Sequence, residues 1–592
     1  MKKLKQYNSL ENVLHIDLTK KKFWIKERRD LFAEYLGGVG VASKILIEEC
    51  PREANPLGRE NPIIFAVGPL NGLFPLASKT VACFKSPLTK NYGESHAGGR
   101  SSTAIRLAGF GAIVIKGQSD EPIYLSIHGS KVQFKDASAL WGVRSTLTVG
   151  RVIRENEAGG GLRSIMRIGR AGEKLVSYAS LNVDTFRHFG RLGLGAVFGS
   201  KKLKALAISG NQKITVKDRD IYQKTYDEIY DYAVKSPLMK KYHEIGTAVN
   251  VSPLNEIGAL PTMNLLKNRF EQAENISGEH LAENYLGRRI ACSHCPVACI
   301  HIAALREKYE SEPYFYKTVM ISYDYELIYA LGAMLGIGDV EDMLKLMDAV
   351  EIYGLDAMYA GSVLAWLTEA MENRIIDENE TSGIRVKWGD LHAYMNILRN
   401  IVNKTNEFYM KLGNSLDDIV KEYGGEEYAL TFGGNGLPGY HTGNAAYVNY
   451  LTGARHSHLD SAGYSIDQDR IKSGRKLSSE QLATKLFEEE SWRQILSSLV
   501  VCFFSRGVYD SEIIQRALSV IGYYKDEKTL INLGRKILRN KHEFKIREGF
   551  DLSNLTIPER VYQTPTPMGL INKYEIQDTI ENYKNLIYEN RR

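Results

Sequence analysis

A chain of 592 residues is several times the size of one cooperative core, so about two to four domains are expected. Hydrophobic residues at 44% and charged residues at 25% are the balance of an ordinary globular protein. The formal charge of +6, spread through mixed Lys and Glu, predicts neither nucleic acid nor a membrane surface as partner.

In chain order, the basic start Met1-Lys2-Lys3-Leu4-Lys5 lacks the apolar core of a signal peptide. Residues 1–210 then read as a glycine-punctuated, strand-rich unit. Val13 to Leu18 alternates as a strand does, and Lys22 to Lys26 is short, aromatic and β-branched. Ile63 to Val67 and Ala112 to Ile115 are continuous apolar runs of the kind buried strands carry. Tyr124 to Phe134 reads as a hairpin turning at Gly129-Ser130, and Ala205 to Ile208 closes the unit.

Beyond about residue 215 the period becomes helical. Ile221, Tyr222, Tyr226, Ile229, Tyr230 and Ala233 fall on one stripe. Leu327 to Ile337 is the nearest approach to a membrane span and is far too short. Asp339 is placed to cap a helix whose apolar face is Met343, Leu344, Met347 and Val350, with Gly354 as its stop. Similar patterns run from Val363 to Met371, Ala483 to Leu496 and Ile513 to Tyr523. Asp377 to Arg385 reads as a loop, and the glycine-rich stretch Gly433 to Gly439 as a division between helical units. The expected fold class is α+β: a β-rich domain at 1–210, then mostly helical domains at 211–430 and 431–592.

Chemistry concentrates in Cys292-Ser293-His294-Cys295-Pro296-Val297-Ala298-Cys299, three thiols at C-x2-C-x3-C spacing. An iron–sulfur cluster draws its fourth sulfur from elsewhere in the chain, and Cys502, in the apolar run Leu499 to Phe504, is suited to a dry pocket. A structural zinc site, closed by His294 or His301, is the other reading of the same spacing. Six cysteines of which three are clustered fit a metal site in a reducing, cytoplasmic compartment rather than a disulfide framework.

The second feature is glycine. Gly37-Gly38-Val39-Gly40, Gly98-Gly99-Arg100, Gly169-Arg170-Ala171-Gly172-Glu173 and Gly190-Arg191-Leu192-Gly193-Leu194-Gly195 recur in the strand-rich part. None is a P-loop or a dinucleotide fingerprint. Singly each is turn chemistry; together they suit a large phosphorylated cofactor lying across several loops.

These motifs carry a resemblance to the aldehyde ferredoxin oxidoreductase family. It runs through Leu36 to Gly40, Val67 to Leu70, Ser86 to Thr89, Gly93 to Ser95, Arg106 to Gly109, Ala112 to Gly117, Ile168 to Glu173 and Gly193 to Lys201. The cysteine motif, Tyr353 to Asp356 and Cys502 follow in the family's order. The resemblance implies a β-rich base for two pyranopterins that hold tungsten or molybdenum, with magnesium bridging the pterin phosphates and a 4Fe-4S cluster nearby. It implies Cys292, Cys295, Cys299 and Cys502 as cluster ligands. Pterin contacts are implied at Lys79, His96, Arg187, His188, Gly190, Arg191, Glu351, Asp356 and Ser497, and catalytic roles at Asp324, Glu326 and His458. Read without the family, Asp324 is a helix cap and His456 or His458 a satisfied loop histidine.

Four positions depart from the family pattern. Glu351 and Ser497 stand where Asp is usual, Lys79 where Arg is, and His96 where Asn is, so the chain looks like a divergent branch. Its Tyr323-Asp324-Tyr325-Glu326 and Arg455 to Asp460 segments are more similar to the branch that includes tungsten-type benzoyl-CoA reductase subunits and broad-specificity tungsten oxidoreductases. The implied reaction is oxidation of an aldehyde to a carboxylic acid, with electrons passing through the cluster to ferredoxin or an iron–sulfur partner subunit. The alternatives are a low-potential aromatic acyl-CoA reductase subunit and a cofactor-poor electron-transfer or assembly subunit. A homodimer is also implied.

Overall fold

The computed structural model describes residues 9–157, 162–309, 312 and 314–588; the basic start at residues 1–5 lies outside them. The first apolar alternation forms β1 (Asn12–Asp17), paired antiparallel with β2 (Lys22–Glu27). All of β2 is exposed, Phe23, Trp24 and Ile25 included, and it forms the edge that covers β1. With β3 (Ile63–Ala66), β4 (Thr80–Lys85), β5 (Tyr92–Ala97) and β6 (Ala112–Lys116) they make a six-stranded sheet ordered β2-β1-β6-β3-β4-β5. Only β1 and β6 run parallel in it.

A second six-stranded sheet, ordered β11-β10-β9-β12-β7-β8, contains β7 (Ile123–His128), β8 (Lys131–Asp136), β9 (Ser164–Ile168), β10 (Leu181–Val183), β11 (Arg187–Phe189) and β12 (Leu203–Ser209). The expected hairpin is β7–β8, with His128 opposite Lys131 and Gly129 at φ +58°, a backbone region glycine enters without a Cβ clash. The edge strand β11 of the second sheet packs against the first sheet. Phe65 of β3 packs on Phe189 of β11 at 5.4 Å, and β5 lies against β11. This seam sets Gly98, just after β5, beside Arg187 of β11.

The first unit is less purely β than its sequence suggests. Gly38–Glu49 is a helix buried along most of its length, and Leu194–Ser200 is another. Each opens on a glycine run read as a loop; Leu194–Ser200 is buried throughout, and Gly38–Glu49 shows polar residues only in its second half, at Lys44, Glu48 and Glu49.

The rest of the chain is mainly helical. Asp339 caps Val340–Tyr353 by accepting from Asp342 N, and Gly354, at φ +75°, ends it. In the helix Arg219–Lys235 the buried stripe is Thr225, Ile229 and Ala233, while Ile221 and Tyr230, expected on that face, are exposed. Residues 513–523 are helical only as far as Ser519. Two apolar cores organise the chain. Strands of the first sheet share one with Ile495, Leu499, Ile537 and Phe544; Leu482, Leu486 and Tyr583 join the larger helical core. The C-terminal helices therefore clamp both. Among the described residues no helix is long and apolar enough to cross a membrane.

A three-stranded sheet, β13 (Leu286–Ile290), β14 (Ile300–Lys308) and β15 (Tyr316–Tyr323), carries the cysteine motif in the connection between β13 and β14, and β14 starts immediately after Cys299.

Candidate active site

The cysteine loop is a succession of tight turns. Cys295 N donates to Cys292 O, and His294 and Ala298 take φ values of +56° and +51°. One residue joins this loop to the distant Cys502: Leu76 N donates to His294 O at 3.1 Å, and Leu76 O accepts from Cys502 N at 2.9 Å. Burial pushes the Cys295 thiol up to about 12, and the neighbouring Cys292 and Cys502 push the same way. Burial, then Cys502, Cys292 and Cys295, raise Cys299 further still. Thiols this reluctant to ionise unaided become thiolates when a metal supplies positive charge.

The zinc reading needs a histidine. Both ring nitrogens of His301 face carbonyl oxygens, Nδ1 that of Cys299 and Nε2 that of Glu244, each at 3.1 Å. His294 lines a cavity of about 400 Å³ with Leu73, Thr103 and Tyr222. Among the described residues no three His, Cys, Asp or Glu side chains converge as ligands of a single metal ion. A multi-iron cluster holds its sulfurs apart on different irons and makes no such demand.

Gly98, just after β5, sits against the loop. A Cβ there would lie 2.6 Å from Cys292 Sγ, 3.4 Å from Lys79 Nζ and 3.5 Å from Arg187 Nε. Ser293 N also donates to Gly99 O at 2.9 Å. Gly98→Ala is therefore expected to lower the iron content of purified protein while the thermal unfolding of the metal-free chain changes little. Unchanged iron would show that the loop yields easily at this contact.

Most of the other glycine runs serve close chain packing. A Cβ on Gly38 would strike Ser497 O at 2.2 Å, one on Gly169 Tyr353 O at 2.3 Å, and one on Gly199 Gly172 O at 1.9 Å. Ser497 is thus placed by its backbone at the end of the helix Ser479–Ser498. Gly190 differs: a Cβ there would meet nothing within 4 Å.

Around Gly190 the cationic residues are only partly matched. Burial disfavours the charge on Arg187, but Cys292, Cys299, Asp324 and Cys502 more than offset it and raise its pKa. Its Nε is buried without a hydrogen-bond partner, as is Nη1 of Arg191. Arg191 Nε lies 3.3 Å from Asp356 Oδ2, and its Nη2 donates to Gly436 O at 2.7 Å. Asp356 also caps the helix Ala357–Glu372. His188 Nε2 is 2.7 Å from Glu351 Oε2, and Asn182 donates to Glu351 Oε1 at 2.8 Å. The longer Glu351 side chain thus fills a position between two sheet residues. His96 is held differently. Its Nε2 is 2.7 Å from Glu94 Oε1, inside a buried group with Lys541 and Arg455, and burial lowers its pKa to about 4.

The three catalytic candidates do not form one unit. Asp324 accepts from Leu327 N at 3.2 Å as the cap of Tyr325–Leu331. Burial, then Glu326, push its carboxyl up to about 6 against the pull of Arg187. Glu326 Oε1 instead takes Tyr440 OH at 2.8 Å and lies 3.2 Å from His458 Nε2. Burial opposes its charge, but His458 and Tyr440 hold its pKa below the ordinary value. His458 Nδ1 is buried and unpartnered. His456, two residues earlier, is a structural group, with Nδ1 on Tyr450 O at 2.9 Å and Nε2 at 2.6 Å from Lys545 Nζ. Asp324 is thus tied electrostatically to Arg187 and to Glu326, while Glu326 makes its direct contacts with His458 and Tyr440. Tyr440 was not expected from the sequence, since a lone tyrosine after a glycine run carries no recognisable spacing.

The model of the aldehyde ferredoxin oxidoreductase N-terminal domain matches residues 13–210, and that of domains 2 and 3 matches residues 224–592. The chain belongs to the aldehyde ferredoxin oxidoreductase family. As a member of that family it is an oxidoreductase. The tungsten-containing aldehyde ferredoxin oxidoreductase of Thermococcus kodakarensis is 28% identical over 579 residues, covering 95% of this chain and 93% of the relative. The aliphatic sulfonate oxidoreductase WOR-like subunit of Pyrococcus furiosus is 26% identical over 605 residues, covering 96% and 93%. The solved active-site complex BamBC of benzoyl-coenzyme A reductase with 1,5-dienoyl-CoA superposes with a TM-score of 0.79. It covers 98% of this chain and 94% of the other at 22% identity, a likeness of fold.

Proposed function

We propose that this aldehyde ferredoxin oxidoreductase homologue oxidises an aldehyde and water to a carboxylate, releasing two electrons and three protons. The observation that carries the reading is the Glu326–His458 pair with its free Nδ1, linked through Asp324 to Arg187, on which Cys292, Cys299 and Cys502 also act.

The residues fit the implied cofactors. Two buried, unsatisfied guanidinium nitrogens and an open space at Gly190 suit a phosphorylated pterin, with Lys79, His188 and Ser497 around it. Cys292, Cys295, Cys299 and Cys502 would hold the 4Fe-4S cluster. When bound, a tungsten–pterin centre (or its molybdenum counterpart) takes two electrons from the substrate carbon, and the cluster passes them on singly.

The chain's own part is proton handling. With Nε2–H donating to Glu326, His458 is held in the tautomer whose Nδ1 carries a lone pair. That nitrogen accepts the proton of the attacking water, and Glu326 stabilises the imidazolium that forms. Tyr440 OH fixes the carboxylate from its other side.

Low-potential reduction of an aromatic acyl-CoA is the second reading. Besides the solved benzoyl-CoA reductase complex, it is favoured by Tyr440 stacked on Tyr464 at 4.3 Å, with His458 at 5.2 Å from Tyr440. Anaerobically purified protein is expected to contain tungsten or molybdenum, releasable pterin and iron, and to reduce a viologen dye with an aldehyde. Protein free of pterin would remove both readings. Turnover confined to an aromatic acyl-CoA would select the second.

A further inference from the structure

We infer that one face of the β13–β14–β15 sheet is the dock for an acidic, one-electron iron–sulfur carrier protein. The inference rests on the proposed function, because electrons from the substrate must leave beside the cysteines.

Register divides the sheet's residues between its faces. Arg306 pairs with Thr318, Lys308 with Tyr316 and Arg288 with Ile302, so Arg288, Arg306, Lys308 and Tyr316 share one side. The opposite side carries Ala303, Leu305, Ile321 and Tyr323, which are buried in the helical core. The first face is capped only at its base, where Ile300 and Ile302 pack with Phe186, Met320 and Cys292. Beyond that point it is exposed, with Tyr316 at 42%. Arg288 lies over the Phe186 ring at 5.8 Å and Arg306 over Tyr316 at 4.2 Å. Among the described residues none of Arg288, Arg306 and Lys308 has a carboxylate partner. The acid of these strands, Glu307, points to the other side and is bound by Lys317 at 2.9 Å.

Three unneutralised cations and an aromatic ring thus lie along the face whose base packs on Cys292, a candidate cluster ligand. Arg288 is beside that base, and Arg306, Lys308 and Tyr316 are farther out along the strands. Charge segregated in this way steers an acidic partner and orients it, and the rings supply contact area. A carrier seated there would approach the cluster from its solvent side. Oxidation of one aldehyde fills two carrier clusters with one electron each.

The test uses the intact enzyme with a small acidic two-cluster ferredoxin as probe, and benzyl viologen as a dye that needs no dock. The triple variant Arg288→Glu, Arg306→Glu, Lys308→Glu is expected to raise the KM for ferredoxin about tenfold or more at low salt. It should also flatten the salt dependence and leave dye-linked turnover unchanged. Lys317→Glu, on the opposite face, should do neither. A wild-type ferredoxin KM in the triple variant would overturn the inference. So would a dimer that dissociates in the variant with ferredoxin kinetics intact, since the face would then belong to a second copy. If wild-type enzyme turns over no aldehyde even with dye, the proposed function fails instead. Calorimetric titration with ferredoxin still reads the dock, with about tenfold weaker binding expected in the variant.

Discussion

Replacing Cys502 with Ser is expected to abolish the EPR signal of the reduced cluster, to strip iron from the protein and to stop electron transfer to any acceptor. A cluster of this type is held by four thiolates, and the other three lie on a loop tied to Cys502 through Leu76. Cys50→Ser and Cys83→Ser are the controls. Cys50 ends the helix Gly38–Glu49, and Cys83 lies in β4 with its sulfur 3.4 Å from Tyr92 OH. Both variants should keep iron and signal. Full iron and a native spectrum in Cys502→Ser would remove it from the ligand set.

The second large effect is expected at the substrate end. His458→Gln should lower the chemical rate by about 100- to 10,000-fold with metal and pterin contents unchanged, the usual span for a general acid–base group. Glu326→Gln should follow it closely, because the imidazolium loses its counter-charge. Asp324 should behave differently. Its carboxyl is raised from 3.8 to about 6, so its protonated form is the one the fold prefers. The stability linked to that proton is fully present below about pH 3.8 and is lost as the pH rises through about 6. Asp324→Asn should therefore flatten the pH dependence of unfolding between those values and remove any activity limb near pH 6. A metal-replete His458→Gln enzyme with wild-type turnover would exclude the pair from the mechanism.

What the sequence disclosed follows from what physical signals it carried. Strands with β-branched runs, the Gly129-Ser130 turn and the Asp339 cap were legible because each depends on neighbours a few residues away. The helix Gly38–Glu49 was not. Its first half, Gly38 to Ser43, is buried on all sides and so loses its amphipathic period, and its glycines answer to Ser497 and Ser498, some 460 residues distant. At the site, Cys292 to Cys299 announce themselves by spacing. The partnership of Glu326, rather than Asp324, with His458 depends on how a helix start faces a loop about 130 residues later. Charge balance was opaque in the same way. Glu94, Lys541 and Arg455 form a buried group whose members come from three separate regions.

Leu76 gives the molecule an unusual mutational blind spot. Its side chain is not what joins the cysteine loop to Cys502; its amide and carbonyl are. Scanning the position with alanine, serine or methionine would keep both bonds, and tolerance there would be mistaken for unimportance. Proline, with no N–H and a φ near −65° in place of +67°, is the substitution that exposes the connection. A catalogue of variants can thus leave silent a residue whose backbone ties together the candidate cluster ligands.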